Sequence, residues 1–168
     1  MQLFEKTEIF VFTLGLTEAW VSKADGAVFP VAPGVAGGEF DPDRHAFLNL
    51  TYDDCMTDLR EFVGIMRGIN RRIKFLFTVS PVPLMATASG EQVVVAASYS
   101  KAVLRAVAGQ LANSRNWIDY FPSYEIISSH VMNGQFYLPD RRGVSQHGVD
   151  HVMRQFFGEH VPPARPGA

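Results

Sequence analysis

"FVFTLGLTEAW", residues 10–20, decides the fold. Together with the residues before it, the segment "TEIFVFTL" (7–14) reads as a buried strand, rich in β-branched and aromatic side chains. The strand ends abruptly in Gly15, Leu16, Thr17 and Glu18. Polar groups placed where a buried strand leaves the core mark either a turn or the edge of a site. A glycine amide can approach a ligand oxygen without a Cβ in the way, and a threonine hydroxyl nearby can add a second hydrogen bond. Gly15 and Thr17 therefore suit an oxyanion. A strand-ending glycine and a capping threonine explain the same residues without a ligand.

Outward from this strand, residues 15–50 hold many of the glycines and prolines, including "FPVAPGVAGGEFDP". They read as a long excursion with a short hairpin, a length usually reserved for covering segments. From Thr51 the apolar spacing becomes helical, through Tyr52, Cys55, Met56, Leu59, Phe62, Val63, Met66 and Ile69, with Thr51 or Asn49 at the cap. "IKFLFTV" (73–79) is a second buried strand, closed by the prolines of "SPVPL". "QVVVAAS" (92–98) is a third extended segment or a strand-to-helix junction, and 99–113 a helix with Val103, Leu104, Val107 and Leu111 on one face. "NWIDYF" (116–121) is a short strand and "PSYEIISS" a short helix. A last helix spans 145–157, capped by Ser145, with Val149, Val152, Met153, Phe156 and Phe157 as its buried stripe.

Alternating strands and helices predict an α/β fold with a mostly parallel sheet. Ligands of such sheets bind beyond the carboxyl ends of the strands. The candidate positions are Gly15–Glu18, Ser80–Pro83, Ser98–Lys101 and Tyr120–Glu125, and Gly15, Thr17, Ser80 and Tyr124 are expected to converge at one edge.

The chain has 168 residues, enough for one domain with a real core, and no internal repeat or linker interrupts it. An apolar content of 47% excludes a disordered chain. A net charge of −2 gives no general attraction to nucleic acid or to an anionic membrane. Cys55 is the only cysteine, so no internal disulfide argues for an oxidising compartment. No apolar run can span a bilayer, and a start containing Glu5 and Glu8 lacks a signal-peptide layout, so a cytoplasmic protein is expected.

Three constellations carry chemistry. Asp140 opens "DRRGVSQHGVDH", and an acid with a histidine nearby suits a Ser-His-Asp relay with His147 or His151 as base. The same two histidines lie four apart and can share a metal, but no third ligand accompanies them, and neither metal nor cofactor is expected. Ser98 and Lys101 match Ser-x-x-Lys, the nucleophile and lysine of an acyl-enzyme family, without that family's other motifs. Ser98 or Ser100 as a helix cap, with Lys101 facing solvent, is the plainer expectation. His45, in "DRHAFLN", follows the Gly-rich excursion and can fold back over the Gly15 edge.

Taken in order, "FVFTLGLTEAW", "GAVFPVAPGVAGGEFDP", "RHAFLN", "TVSPVPLMAT", "SYSKAVLRAVAGQL", "DYFPSYEII" and "GVDHVMRQFF" resemble the GSCFA family, a bacterial group related to the SGNH/GDSL hydrolases. The resemblance implies a three-layer α/β/α sandwich with a mainly parallel sheet. It also implies an esterase or acyl-hydrolase site for an acylated carbohydrate or a similar small ester. Gly15, Thr17, Glu18, Ser80 and Tyr124 would bind the substrate and its oxyanion, and Asp140 would orient a histidine.

The sequence also departs from the family pattern. The Gly-Ser-Cys-Phe-Ala nucleophile motif is missing, so residues 1–160 are expected to form a single, partial domain lacking the first strand, followed by an extended or disordered tail at 161–168. Gly15-Leu16-Thr17 stands where relatives carry Gly-x-Asn, and Gly143 stands where an Asp-x-x-His base would follow Asp140. His45, His147 or His151 would have to serve instead. A rival implication is a non-catalytic module holding a glycan or a protein on the same fold. An unpaired sheet edge would favour self-association.

Overall fold

The computed structural model describes residues 2–159; the tail expected at 161–168 lies outside the described residues. The chain runs α1 (Gln2–Lys6), β1 (Ile9–Leu14), β2 (Glu18–Ser22), β3 (Val28–Phe29), β4 (His45–Asn49), α2 (Tyr52–Ile69), β5 (Lys74–Val79), α3 (Val93–Ser114), β6 (Ile118–Tyr120), α4 (Ser123–Ser128), a 3-10 turn (His130–Met132) and α5 (Gln146–Glu159). β1, β5 and β6 form a parallel sheet in the order β1-β5-β6, with Phe10 opposite Phe75 and Phe12 opposite Phe77. Helices flank it in a three-layer α/β/α arrangement: α2 and α3 pack on one face, α4 and α5 lie at the other.

The core is an aromatic seam. Phe10, Phe12, Phe75 and Phe77 alternate onto the face that meets Phe62 of α2, with ring centroids 5.4–6.2 Å apart. Val103, Leu104, Val107 and Leu111 of α3 close the same cluster. Helix α2 starts where expected because Thr51 and Asp54 form a capping box: each side chain accepts from the other residue's backbone N–H. Asn70 ends that helix and donates to the Phe4 and Thr7 carbonyls, tying α1 and the link to β1 to the end of α2.

Three expectations need correction. The excursion at 15–50 does hold a short hairpin, β2–β3, but β4 pairs with the other side of β2 and completes a three-stranded antiparallel sheet in the order β3-β2-β4; its strands are too short for periodicity to reveal. Residues 93–98 are helical, so "VVVAAS" is the first turns of α3 and Gln92 is its N-cap. Neither the extended segment nor the strand-to-helix junction expected there is present: the β-branched run is helical, with Ala96 and Ala97 buried against Leu84. The stripe of α5 is displaced. Gly148 is its one buried residue, Val152 and Phe156 are half-buried, and Val149, Met153 and Phe157 are exposed.

β1 is an edge strand that pairs only with β5 among the described residues, and its Ile9 and Val11 are 60% and 56% exposed. No described helix is long and apolar enough to cross a membrane.

Phe77→Ala, at a fully buried site, should cost about 3–5 kcal/mol in urea unfolding. Val11→Ala, on the open side of the same sheet, should stay within about 0.5 kcal/mol. Equal costs would mean that the two sheet faces are covered alike.

Candidate functional site

Because β1, β5 and β6 are parallel, their carboxyl ends lie at one edge. The ladder continues just past them: Ser80 N–H donates to the Leu14 carbonyl at 2.9 Å, and Phe121 N–H to the Phe77 carbonyl at 2.8 Å. Gly15, Ser80 and Tyr124 therefore follow the strands at the same edge, as the strand-end rule requires. Glu18 is anchored there too, since Thr87 Oγ1 donates to its Oε1 at 2.5 Å and draws the 80–92 loop against β2.

Thr17 turns inward. It is fully buried, its backbone N–H donates to Ser100 Oγ at 2.6 Å, and its hydroxyl donates to Asn49 Oδ1 at 2.7 Å. The Thr17 and Ser100 hydroxyl oxygens stand 3.0 Å apart. This buried knot joins the end of β1 to α3 and to the end of β4. A substrate oxygen would have to displace Ser100 to reach the Thr17 N–H, and Asn49 to reach its hydroxyl. Gly15 is exposed, and a Cβ on it would meet nothing within 4 Å.

Lys101 overturns a sequence expectation. With α3 beginning at Val93, neither Ser98 nor Ser100 is a cap, and Lys101 points into the protein with 3% of its surface exposed. Its Nζ donates to the Gly15 carbonyl at 2.8 Å, and no carboxylate lies within ion-pair distance among the described residues. Burial of an ammonium without a counter-charge lowers its pKa to about 8. Ser98 is exposed and its hydroxyl donates to the Val94 carbonyl, one turn back.

A cavity of about 360 Å³ opens beside Lys101. Pro81, Pro83, Leu84, Val93 and Ala97 make its apolar wall. Tyr124, Tyr137, Asp140, Arg142 and Lys101 make its polar side. Burial raises the Tyr124 pKa, and its hydroxyl has no hydrogen-bond partner among the described residues. Tyr137 donates to the Pro81 carbonyl at 2.9 Å and shares a hydrogen bond with Ser128. Asp140 Oδ1 accepts from the Arg142 and Gly143 backbone N–H groups, both at 2.9 Å, and these bonds hold its carboxyl below the usual carboxylate pKa.

The three candidate histidines lie elsewhere. His45 pairs with Ser22 at the far end of β4, four residues or about 13 Å from Asn49. Its Nδ1 accepts from Asp41 N–H, and its ring meets Phe29 and Phe40. His147 is exposed beside Phe136, and His151 stacks on Phe136 at 4.8 Å. None of these rings lines the cavity. Of the residues singled out from sequence, Tyr124 and Asp140 meet there, Gly15 reaches it through Lys101, and His45 and His147 do not. The described residues contain no group of three or more His, Cys, Asp or Glu placed to hold a metal.

Arg142 and Tyr137 are cavity residues that the sequence does not single out, and Lys101 lies in the candidate span 98–101 but was expected to face solvent. One signal points to the burial of Lys101: stepping back from Leu104 by four and by three positions lands on Ser100 and on Lys101, which puts both on the buried stripe.

Two stability measurements test this site. Lys101 is charged in both states below pH 8, so its burial cost is fully present there. Between about pH 8 and 10.5 the unfolded chain holds the extra proton, and stability should rise with pH. That rise should vanish in Lys101→Met, judged by subtracting the two stability profiles. Ser100→Ala leaves the buried Thr17 N–H unpaired and should cost about 1–3 kcal/mol.

A search of curated proteins finds no match to this chain. A model of the GSCFA family matches residues 1–156, which takes in the parallel sheet, the antiparallel insertion and the strand-end cavity. The chain belongs to the GSCFA family.

Proposed function

We propose that this chain carries the substrate pocket of an SGNH/GDSL-like acyl hydrolase acting on the ester of an acylated carbohydrate or a similar small molecule. One observation carries the reading: the cavity at the carboxyl edge of the parallel sheet is apolar on one wall and polar on the other. An acyl ester has the same division. Pro81, Leu84 and Val93 suit the acyl chain. The Tyr124 hydroxyl and the Lys101 ammonium are donors for a carbonyl oxygen as it gains negative charge, and donors fixed at that position lower the barrier.

A second reading has its own support. Because none of the described histidines lines the cavity, no imidazole of theirs stands beside a bound ester, and a non-catalytic module holding a glycan fits that placement. The Ser-x-x-Lys alternative gains less. Ser98 donates to Val94 and Lys101 to Gly15, so the two side chains are engaged with separate carbonyls rather than with each other.

Acetate release from an O-acetylated oligosaccharide by the full-length protein tests both. Turnover is expected, with a loss of roughly tenfold or more in Val94→Trp, which fills the rim from an exposed position without entering the core. Binding without release supports the non-catalytic module. Turnover unchanged in the folded Val94→Trp variant overturns the pocket assignment.

A further inference from the structure

The cavity holds more positive charge than its own residues answer. Lys101, Arg141 and Arg142 line it against a single carboxylate, Asp140. That carboxylate is engaged in its own turn by two backbone N–H groups, and Arg142 adds electrostatically to the lowering of its pKa. Lys101 is almost wholly buried, yet only one of its three ammonium protons has a partner among the described residues, the neutral carbonyl of Gly15. Arg142 Nε is buried with no hydrogen-bond partner, and its guanidinium makes one long contact, 3.5 Å, to the Pro83 carbonyl. Buried donors without acceptors are costly, and cationic ones more so. Two such groups on one cavity fit an acceptor brought by a ligand.

We propose that this cavity binds the oxyanion head of an organic ligand, a carboxylate or a phosphate, between Lys101 and Arg142, with the apolar wall of Pro81, Leu84 and Val93 taking the rest of the molecule. A delocalised oxyanion can accept from an ammonium on one side and a guanidinium on the other, and charge-assisted bonds of this kind are the strong ones. Tyr124 adds a free hydroxyl at the same wall. Anion binding also supplies the counter-charge that Lys101 lacks and so holds it protonated. The inference rests on the cavity being the ligand site and is independent of ester hydrolysis.

Calorimetric titration of the full-length protein with hexanoate, 1-hexanol and inorganic phosphate tests it, alongside Lys101→Met and Arg142→Gln variants whose folding is checked by circular dichroism. Hexanoate is expected to bind roughly tenfold or more tighter than hexanol, with the preference lost or sharply reduced in each variant. Displacement of hexanoate by phosphate identifies a site open to free phosphate, and resistance to displacement identifies a carboxylate site; both support the proposal. Equal affinity for hexanoate and hexanol, no binding of either anion, or an unchanged preference in both folded variants overturns it. Acetate release is a separate readout, so ester chemistry and anion binding can fail independently.

Discussion

The hydrogen bond from Thr17 N–H to Ser100 Oγ fixes where the parallel sheet stops. Beyond β1 the chain must leave a buried layer, and a backbone N–H left unpaired there would be costly. A serine presented by α3 meets that need and also accepts the company of the Thr17 hydroxyl, which reaches on to Asn49. One small knot thus holds β1, the start of the antiparallel sheet, the end of β4 and the middle of α3. The position of α3 then places Lys101, the next residue, against Gly15 and at the wall of the cavity.

That placement has an electrostatic consequence. An ammonium drawn into the protein by the geometry of its helix cannot choose its partner. Here the partner is a carbonyl, a dipole rather than a charge, and the lysine is left with a lowered pKa and free donors. The 137–142 turn supplies the opposite wall, where Arg142 shows the same imbalance. The strand-end edge is therefore cationic although the chain as a whole carries a net charge of −2. Global charge does not report local field when the charges sit inside a cleft.

The two faces of the sheet differ in how completely they are covered. The aromatic seam under α2 and α3 is closed, while Ile9 and Val11 on the other side stay exposed and α5 presents Val149, Met153 and Phe157 to solvent. Gly148 explains how α5 docks: a Cβ there would lie 2.9 Å from the Cβ of Phe136 and from Cγ1 of Val144, so the helix makes its close approach at its glycine, with Phe156 of the apolar stripe reaching Phe121 farther along.

The sequence by itself determined the class of fold. The apolar runs at 7–14 and 73–79 are strands, the spacing of Tyr52 to Ile69 is a helix, and Thr51 caps it, because these signals are local and repeat with the period of the element. It also pointed to the carboxyl edge, where the cavity lies, since a parallel sheet has only one such edge. What it did not contain was which side chains turn toward that edge. Ser98-x-x-Lys101 and Asp140 with His147 were read as neighbours along the chain, but burial depends on what other elements lie opposite. Lys101 is buried because α3 carries it against the end of β1, where it meets the Gly15 carbonyl, and Thr17 is sealed because α3 brings Ser100 across 83 residues of sequence. His45 lies far from the site because a second sheet, too short-stranded to show a period, carries it there. Pattern fixes the elements; only long-range packing decides which polar groups are left facing one another.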